Sequence, residues 1–506
     1  MAEMTDQRLK FQLFFWYGVI ALSALVFSYF LAAGALTILL MVGAVGWLML
    51  LPYHATLSFK VAVATFGSAF ILPLFPGRPY FWELAALLGW SGLIMLVALR
   101  RYDPGFKSVI RRNAWMFIGI IGYCAVLVMT MFYRGFGLRV LGSSGQVGGR
   151  LYLQQLVCAV FPLLFAMIRT DERTVVRLVV WQCLLTASYL LSDFAFSFGS
   201  DLIYPMLYFV ELANDALLFE VQSATFGIRR FQSLALAGHG FILLTLVYLN
   251  LKDFLSPRRW LMLAVVLGIF SIGLLSGHRY FVILLAFTLL FVGYSQRFFT
   301  TRNVLIAGVM LGLGLGVLYL SANRMPLAFQ RAVSFLPGLH ASTEAVIDAQ
   351  TTAIGRVTLF KVGLTMIPEY FWLGRGFVRY MDEYSGQFDP TGVMAHISNG
   401  VFYNGFIGLM VNTGVFGTFF MFLFILAGTR TAFRIIKFVR RNGCEDDFSR
   451  VCSLMASLWI AHVLLFLFLH GDAERAMKTF ALVAGLCVLC EKLLNRRLSE
   501  VSATAE

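Results

Sequence analysis

Long apolar runs alternate with short polar segments along the 506-residue chain. Most of these runs approach the length of about 20 apolar residues that a helix needs to cross a bilayer. The pattern predicts spans at 11–33, 35–51, 60–75, 81–99, 115–133, 150–168, 178–198, 238–250, 260–276, 279–295, 303–321, 401–428, 451–470 and 477–491. We therefore expect an all-α, polytopic integral membrane protein, residues 1–506 forming a single helical bundle of about fourteen transmembrane helices.

The composition agrees with this pattern. Hydrophobic residues make up 59% of the chain and charged residues only 13%, whereas a soluble protein is about one quarter charged. The first ten residues are polar, and the apolar run after them has no small-residue cleavage site, so we expect a first span rather than a cleaved signal peptide. The net charge of +14 is dispersed over short inter-span segments, a pattern that sets topology and does not indicate nucleic-acid binding.

The positions of the basic residues predict the orientation, because cytoplasmic loops of membrane proteins carry an excess of lysine and arginine. With the N-terminus in the cytoplasm, 25 of the 40 lysines and arginines lie in short cytoplasmic segments. The main basic segments are 100–112, 169–177, 252–259, 297–302, 430–450 and 492–497. We therefore expect both termini in the cytoplasm.

Two predicted outer loops are long enough to be functional. One covers 199–237, and a larger one covers 322–400. Long connections in compact proteins usually bind or catalyse, or have secondary structure of their own. Within the larger loop, 343–367 reads as a helix with Ser342 or Thr343 as its N-cap. The predicted periplasmic loop is therefore partly helical.

Arginines gather near the predicted outer ends of spans and in the larger loop. The candidates are Arg150, Arg279, Arg356 and Arg375. The guanidinium group presents a fork of donors that suits phosphate oxygens, so converging arginines at a membrane surface fit a lipid-linked pyrophosphate. An alternative is that each arginine anchors a helix end among lipid headgroups. For Arg279 a functional role is favoured over anchoring. Apolar residues flank its short glycine-containing segment, and a charge without a role is costly in such surroundings.

Two outer histidines are candidates for proton transfer. His278 precedes Arg279, and His396 lies shortly before the span at 401–428. Either is also compatible with an ordinary interfacial position. No metal-type cysteine or histidine spacing and no nucleotide-binding motif is found, so we expect neither a metal nor a cofactor.

Four features of the second half of the chain resemble the O-antigen ligase/O-antigen polymerase superfamily of bacterial envelope enzymes. The first three are sequence motifs: Ser276-Gly277-His278-Arg279 at the outer end of a span; Gly355-Arg356, Pro368 and Trp372-Leu373-Gly374-Arg375-Gly376-Phe377 in the large loop; and Asn404 followed by Gly414 and Gly417. The fourth is the late position of the large loop. The resemblance covers about 260–430.

This resemblance implies a metal-independent glycosyltransferase whose donor is a glycan on polyprenyl pyrophosphate. The acceptor is a lipid, as in a ligase that acts on lipid A-core, or another glycan, as in a polymerase. It implies that Arg279 and Arg356 bind the pyrophosphate, with Arg150 and Arg375 in support, and that His396 acts on the acceptor hydroxyl.

His278, Tyr403 and Asn404 complete the expected site as supporting residues. The family has a histidine immediately before the motif asparagine, where this chain has Tyr403. His396, eight residues before Asn404, is the candidate replacement. The sequence leaves open whether the product is O-antigen, another exopolysaccharide or a related cell-wall glycan.

A transporter or flippase of polysaccharide or lipid-linked sugar is the main alternative function. Transporters often have charged residues or broken helices near mid-membrane. The predicted spans are nearly free of charge, and the exceptions Glu83 and Asp193 lie toward predicted outer ends. The crowding of polar features on one face therefore favours an enzyme, with a structural or assembly role as a third possibility.

Overall fold

The computed structural model describes residues 36–72, 78–136, 146–147, 149–198, 209–211, 231–377, 379–380, 393–469, 471 and 473–505. The described chain divides into two compact units, 1–54 and 55–506. In the first unit, the structure describes helix α1 (Leu36–Met49) and a 3-10 turn at Leu51–Tyr53.

The second unit is almost entirely helical. In its first half the helices are α2 (His54–Thr65), α3 (Phe81–Ala98), α4 (Phe106–Arg112), α5 (Ala114–Arg134), α6 (Gly149–Cys158), α7 (Val160–Met167), α8 (Glu172–Leu185), α9 (Ser188–Phe198), α10 (Gln232–Tyr248) and α11 (Leu251–Phe254). In its second half they are α12 (Trp260–Leu274), α13 (Arg279–Ser295), α14 (Thr301–Ser321), α15 (Leu327–Val333), α16 (Thr343–Met366), α17 (Val393–Ser398), α18 (Gly405–Asn442), α19 (Asp447–Phe468) and α20 (Ala473–Ala505). Strands β1 (Gln146–Val147) and β2 (Arg379–Tyr380) pair antiparallel.

The helices confirm an all-α membrane protein. Within the described residues, at least eight helical segments are long and apolar enough to cross a bilayer. They are Phe81–Ala98, Ala114–Arg134, Gly149–Met167, Glu172–Phe194, Pro257–Leu274, Thr301–Arg324, Gly405–Asn442 and Asp447–Phe468. Two shorter apolar helices, Gln232–Tyr248 and Arg279–Ser295, match two further predicted spans.

Several predicted boundaries differ from the observed helices. The span predicted at 60–75 begins earlier, at His54, and its helix ends at Thr65 before a turn in which Gly67 has φ +79°. Helix α10 begins at Gln232, inside the loop predicted at 199–237. The span predicted at 11–33 lies outside the described residues.

The centre of the bundle is formed by α18 against α5, α19 and α20. The buried indole of Trp459 packs edge-on against Phe424 at 5.7 Å and Phe480 at 5.2 Å between ring centroids. A side chain on Gly428 would overlap that indole, so the glycine allows the close approach of α18 and α19. Aromatic packing therefore fixes the helix that carries the candidate site at its N-terminal end.

Segments predicted to be cytoplasmic are joined to one another by ion pairs. Asp103 accepts from Arg496 at 2.8 Å. Other pairs join Glu491 to Arg112 and Arg434, and join Arg497 to Glu172 and Asp446. The segments 100–112, 169–177, 430–450 and 492–497 therefore lie together, as alternating loops of a multi-pass bundle should.

The helix predicted within the large loop is confirmed. Helix α16 runs from Thr343 to Met366, and the Ser342 hydroxyl accepts from the Ala345 N–H at 3.4 Å as its N-cap. The Ser342 backbone N–H donates to Gln330 Oε1 at 2.6 Å, which ties this cap to α15. The described part of 322–400 thus contains packed helices, which position the residues discussed next.

Candidate functional site

The turn between α12 and α13 carries the Ser276–Arg279 motif. Gly277 has φ +72°, a left-handed conformation that glycine adopts at little cost. The Ser276 hydroxyl accepts from the His278 N–H at 3.2 Å, and the half-buried Arg279 begins α13. The Arg279 guanidinium donates to Ser334 Oγ at 3.1 Å, which directs it toward the segment after α15.

A buried arginine that the sequence analysis missed joins this turn to the large loop. Arg331, on α15, is only 5% exposed. Its guanidinium donates to the Gly277 carbonyl, pairs with Asp348, and donates to Thr352 Oγ1 at 3.2 Å. A buried arginine satisfied by three partners fixes the geometry of all three. The apolar neighbours of Arg331 in the sequence were the available signal, as they were for Arg279.

Three predicted site residues lie in one chain of contacts. The Arg356 guanidinium carbon lies 5.1 Å from the centroid of the Tyr403 ring, within cation–π range. The Tyr403 hydroxyl is 3.4 Å from His396 Nε2, with ring centroids 5.1 Å apart. The structure thus places His396 beside the residue that occupies the expected histidine position.

Helix geometry also places Arg356 next to the Arg331 group. Thr352 and Arg356 are four residues apart on α16, so their side chains share one face of the helix. Arg331 donates to Thr352, and Arg279 donates to Ser334, three residues after Arg331. The two arginines predicted to bind pyrophosphate, Arg279 and Arg356, therefore both lie near Arg331.

The segment before α18 has an unusual backbone. Tyr403 has φ +52°, a conformation that a bulky residue rarely adopts and that is concentrated at functional sites. Asn404 follows as the N-cap of α18, its Oδ1 accepting from the Ile407 N–H at 3.1 Å. The Asn404 amide also donates to the Leu467 carbonyl at 3.4 Å, which anchors the segment to α19. Asn404 therefore supports the site through backbone positioning.

Arg375 contacts the short helix that carries His396. Its two terminal nitrogens donate to the carbonyls of Ile397 at 2.9 Å and Ser398 at 2.8 Å, at the C-terminal end of α17. A cation at that end also complements the helix dipole. These two hydrogen bonds hold the C-terminal end of α17, and pyrophosphate binding by Arg375 stays a prediction.

The glycines of the large-loop motif fit into a break in α18. Gly414 interrupts α18 with φ +66° and ψ −172°. The Arg375 and Gly376 N–H groups donate to the carbonyls of Val411 at 2.8 Å and Asn412 at 3.0 Å, and the Val415 N–H donates to the Phe371 carbonyl at 2.7 Å.

A side chain on Gly374 would overlap the Asn412 backbone, and one on Gly414 would overlap Trp372. The two glycines therefore allow loop and helix backbones to touch.

Helix α5 holds the same loop from the other side. Thr130 Oγ1 donates to the Leu373 carbonyl at 2.9 Å, and Arg134 donates to the Gly374 carbonyl at 3.1 Å. The Arg134 guanidinium also lies 5.5 Å from the Tyr370 ring centroid. Partial burial, with Glu369 beside it, raises the pKa of Tyr370, so its phenol stays protonated at neutral pH.

Arg150, the second residue of α6, contacts α3 and the residue before it. It donates to Glu83 at 3.3 Å and lies 5.7 Å from the Tyr80 ring centroid. Lys478 Nζ lies 5.5 Å from the ring centroid of Trp82, which is next to Glu83 on α3. Helix α6 itself reaches the large loop, since the Tyr152 hydroxyl accepts from the Phe377 N–H at 3.0 Å, and a supporting role of Arg150 in pyrophosphate binding stays a prediction.

Two histidines inside the helices were also missed. His239 lies on α10 and His462 on α19, two helices that pack against each other. The Nε2 atom of His239 is buried, and no described residue hydrogen-bonds to it. Ionisable residues at such positions in membrane proteins are often functional.

Comparison of the chain with protein-family models gives no match, and comparison with curated proteins gives none either.

Proposed function

We propose that the protein transfers a glycan from a polyprenyl pyrophosphate to an acceptor on the periplasmic face of a bacterial inner membrane. The proposal includes fourteen spans, two cytoplasmic termini and periplasmic loops at 199–237 and 322–400. The observation that carries it is the contact chain from Arg356 through Tyr403 to His396, on a helix that Arg331 connects to the Arg279 turn.

The chemistry requires a cation where charge develops and a base near the acceptor. When the glycosidic bond to the pyrophosphate breaks, negative charge grows on the leaving oxygen, and fixed arginine donors stabilise it. Arg279 and Arg356 supply these donors, so the reaction needs no metal. His396 takes the proton of the acceptor hydroxyl, and the Tyr403 hydroxyl positions the imidazole.

The test is a transfer assay with purified protein in nanodiscs, a polyprenyl-pyrophosphate glycan, EDTA and no nucleotide. Elongated lipid-linked glycan identifies a polymerase, and transfer to lipid A-core identifies a ligase. Arg279→Gln and Arg356→Gln should each lower the rate about 100- to 1,000-fold, the usual effect of removing one transition-state donor. Arg324→Gln, an exposed arginine on the connection to α15, is the matched control and should retain full activity.

Full activity in both site variants would refute the pyrophosphate assignment. Loss of activity together with loss of protein from the membrane would instead identify a folding role, so abundance and thermal stability are measured on the same samples. A requirement for added metal in the transfer reaction would also contradict the mechanism.

Transport of a lipid-linked glycan is the second candidate, and two observations favour it. Helix α18 is broken at Gly414, and His239 and His462 lie on two helices that pack together, α10 and α19. Both features occur in transporters. The test follows a labelled lipid-linked glycan in liposomes that contain the protein. If the lipid crosses the bilayer, if His239→Phe abolishes this movement, and if no acceptor receives the glycan, transport would replace the enzyme proposal.

A further inference from the structure

A cavity of about 940 Å³ opens between α13 and α18, toward the end of α13 opposite Arg279. Its lining combines aromatic and aliphatic side chains with three cations. The lining residues are Leu290, Phe291, Tyr294, Phe299, Arg430, Phe433, Arg434 and Lys437. The cavity is therefore apolar over most of its wall and basic along one edge.

Two of the cations have no partner in the described part of the chain. Arg434 donates to both oxygens of Glu491, at 2.6 and 3.1 Å, and that carboxylate also pairs with Arg112. Arg430 and Lys437 are exposed, and neither makes an ion pair or hydrogen bond with a described residue. They lie on the same face of α18 as Arg434, at helical spacings of three and four residues. The basic edge thus carries positive charge that the described protein leaves unneutralised.

The cavity lies where apolar sequence gives way to basic sequence. Leu290 and Phe291 belong to the last turns of α13, while Arg430 follows the predicted span 401–428 by two residues. Tyr294 contacts the Arg440 guanidinium at 4.1 Å from the ring centroid. Aromatic and basic residues at the end of spans mark the headgroup level of a bilayer.

We infer that this cavity binds an anionic phospholipid of the leaflet on the predicted cytoplasmic side. Its phosphate lies between Arg430 and Lys437, and its acyl chain follows the wall formed by Leu290 and Phe291. Basic pockets between transmembrane helices bind such headgroups. The extensive apolar wall favours a lipid, because a soluble phosphate has no apolar surface to bury against it.

The test is native mass spectrometry of the full-length protein in detergent, titrated with phosphatidylglycerol, with phosphatidylcholine of equal chain length, and with glycerol phosphate. Phosphatidylglycerol should bind at least tenfold more tightly than phosphatidylcholine, and glycerol phosphate should not bind measurably. The double variant Arg430→Gln/Lys437→Gln should weaken phosphatidylglycerol binding about thirty-fold. Each surface cation contributes about 1 kcal/mol, or roughly fivefold in affinity, and the two factors multiply.

The matched control is Lys107→Gln/Arg111→Gln, which removes two exposed charges from another predicted cytoplasmic segment, 100–112. This control should bind phosphatidylglycerol like the wild type. A second variant, Leu290→Trp, fills the apolar wall without changing charge and should also weaken binding. Equal loss in the control, unchanged affinity in the cavity variants, or tight binding of glycerol phosphate would each overturn the inference.

Discussion

Replacing Arg331 with methionine tests how the large loop is attached to the spans. The Arg331 side chain is 6% exposed and that of Asp348 is 14% exposed. Methionine removes the buried guanidinium that pairs with Asp348 and donates to the Gly277 carbonyl. Breaking a buried pair from one side costs about 3–5 kcal/mol. We therefore expect α16 to detach locally while the transmembrane core stays folded.

Hydrogen–deuterium exchange of the protein in nanodiscs measures this directly. A loss of about 3 kcal/mol in the free energy of local opening corresponds to roughly 100-fold faster exchange of peptides from Thr343–Met366. Peptides from Asp447–Phe468 should be unchanged. Arg324→Met is the matched control, because Arg324 is exposed and precedes the same helix α15.

A double variant separates the ion pair from a simple packing defect. Arg331→Met/Asp348→Leu replaces both charges with apolar groups and should recover most of the protection, since removing a buried pair together is often nearly neutral. Less than about threefold faster exchange in Arg331→Met would refute the reasoning, as would an equal effect in Arg324→Met.

Three further predictions concern other parts of the chain. Gly374→Ala or Gly414→Ala should each destabilise the protein by about 2 kcal/mol or more, because both positions have positive φ and an added side chain would overlap backbone atoms. Gly355 on α16 has open space around it, so Gly355→Ala should leave the thermal unfolding midpoint unchanged or raise it. Burial lowers the pKa of Lys492 to about 8 from its ordinary 10.5. The folded protein therefore loses this proton before the unfolded chain does, and its stability gains a contribution as pH rises between these values. Lys492→Met should lower stability at neutral pH by leaving three backbone carbonyls without a donor, and it should abolish that rise in a pH series of unfolding midpoints. Tyr403→Phe keeps the ring beside the arginine but removes the hydroxyl, so transfer activity should fall about tenfold with unchanged thermal stability; a stability loss instead would indicate a structural hydroxyl.

The helices were largely predictable from sequence because most of the apolar runs approach the length that a helix needs to cross a bilayer. Helix α16 was also predictable, since Ser342 provides a recognisable cap. The end of the span predicted at 60–75 was wrong because the chain turns at Gly67, and an apolar run does not show where a helix stops inside a protein.

The site was predictable only as a set of candidate residues. Contact between His396 and Tyr403 depends on the tight segment between them, where Gly400 and Tyr403 both have positive φ. The role of Arg331 depends on Gly277, 54 residues earlier, and no local pattern encodes such a partner. The hydrogen bonds from Arg375 to the carbonyls of Ile397 and Ser398 depend on how α17 folds against the loop, which its own motif does not encode.

The break at Gly414 affects how loss-of-function variants in the large loop should be interpreted. A break in a transmembrane helix leaves backbone groups that lipid cannot satisfy, and Phe371, Arg375 and Gly376 supply the missing bonds. A substitution in this loop segment therefore removes hydrogen bonds from a span. Cells would degrade such a variant as a misassembled membrane protein. A genetic screen would then score it as inactive, although the substituted residue takes no part in catalysis.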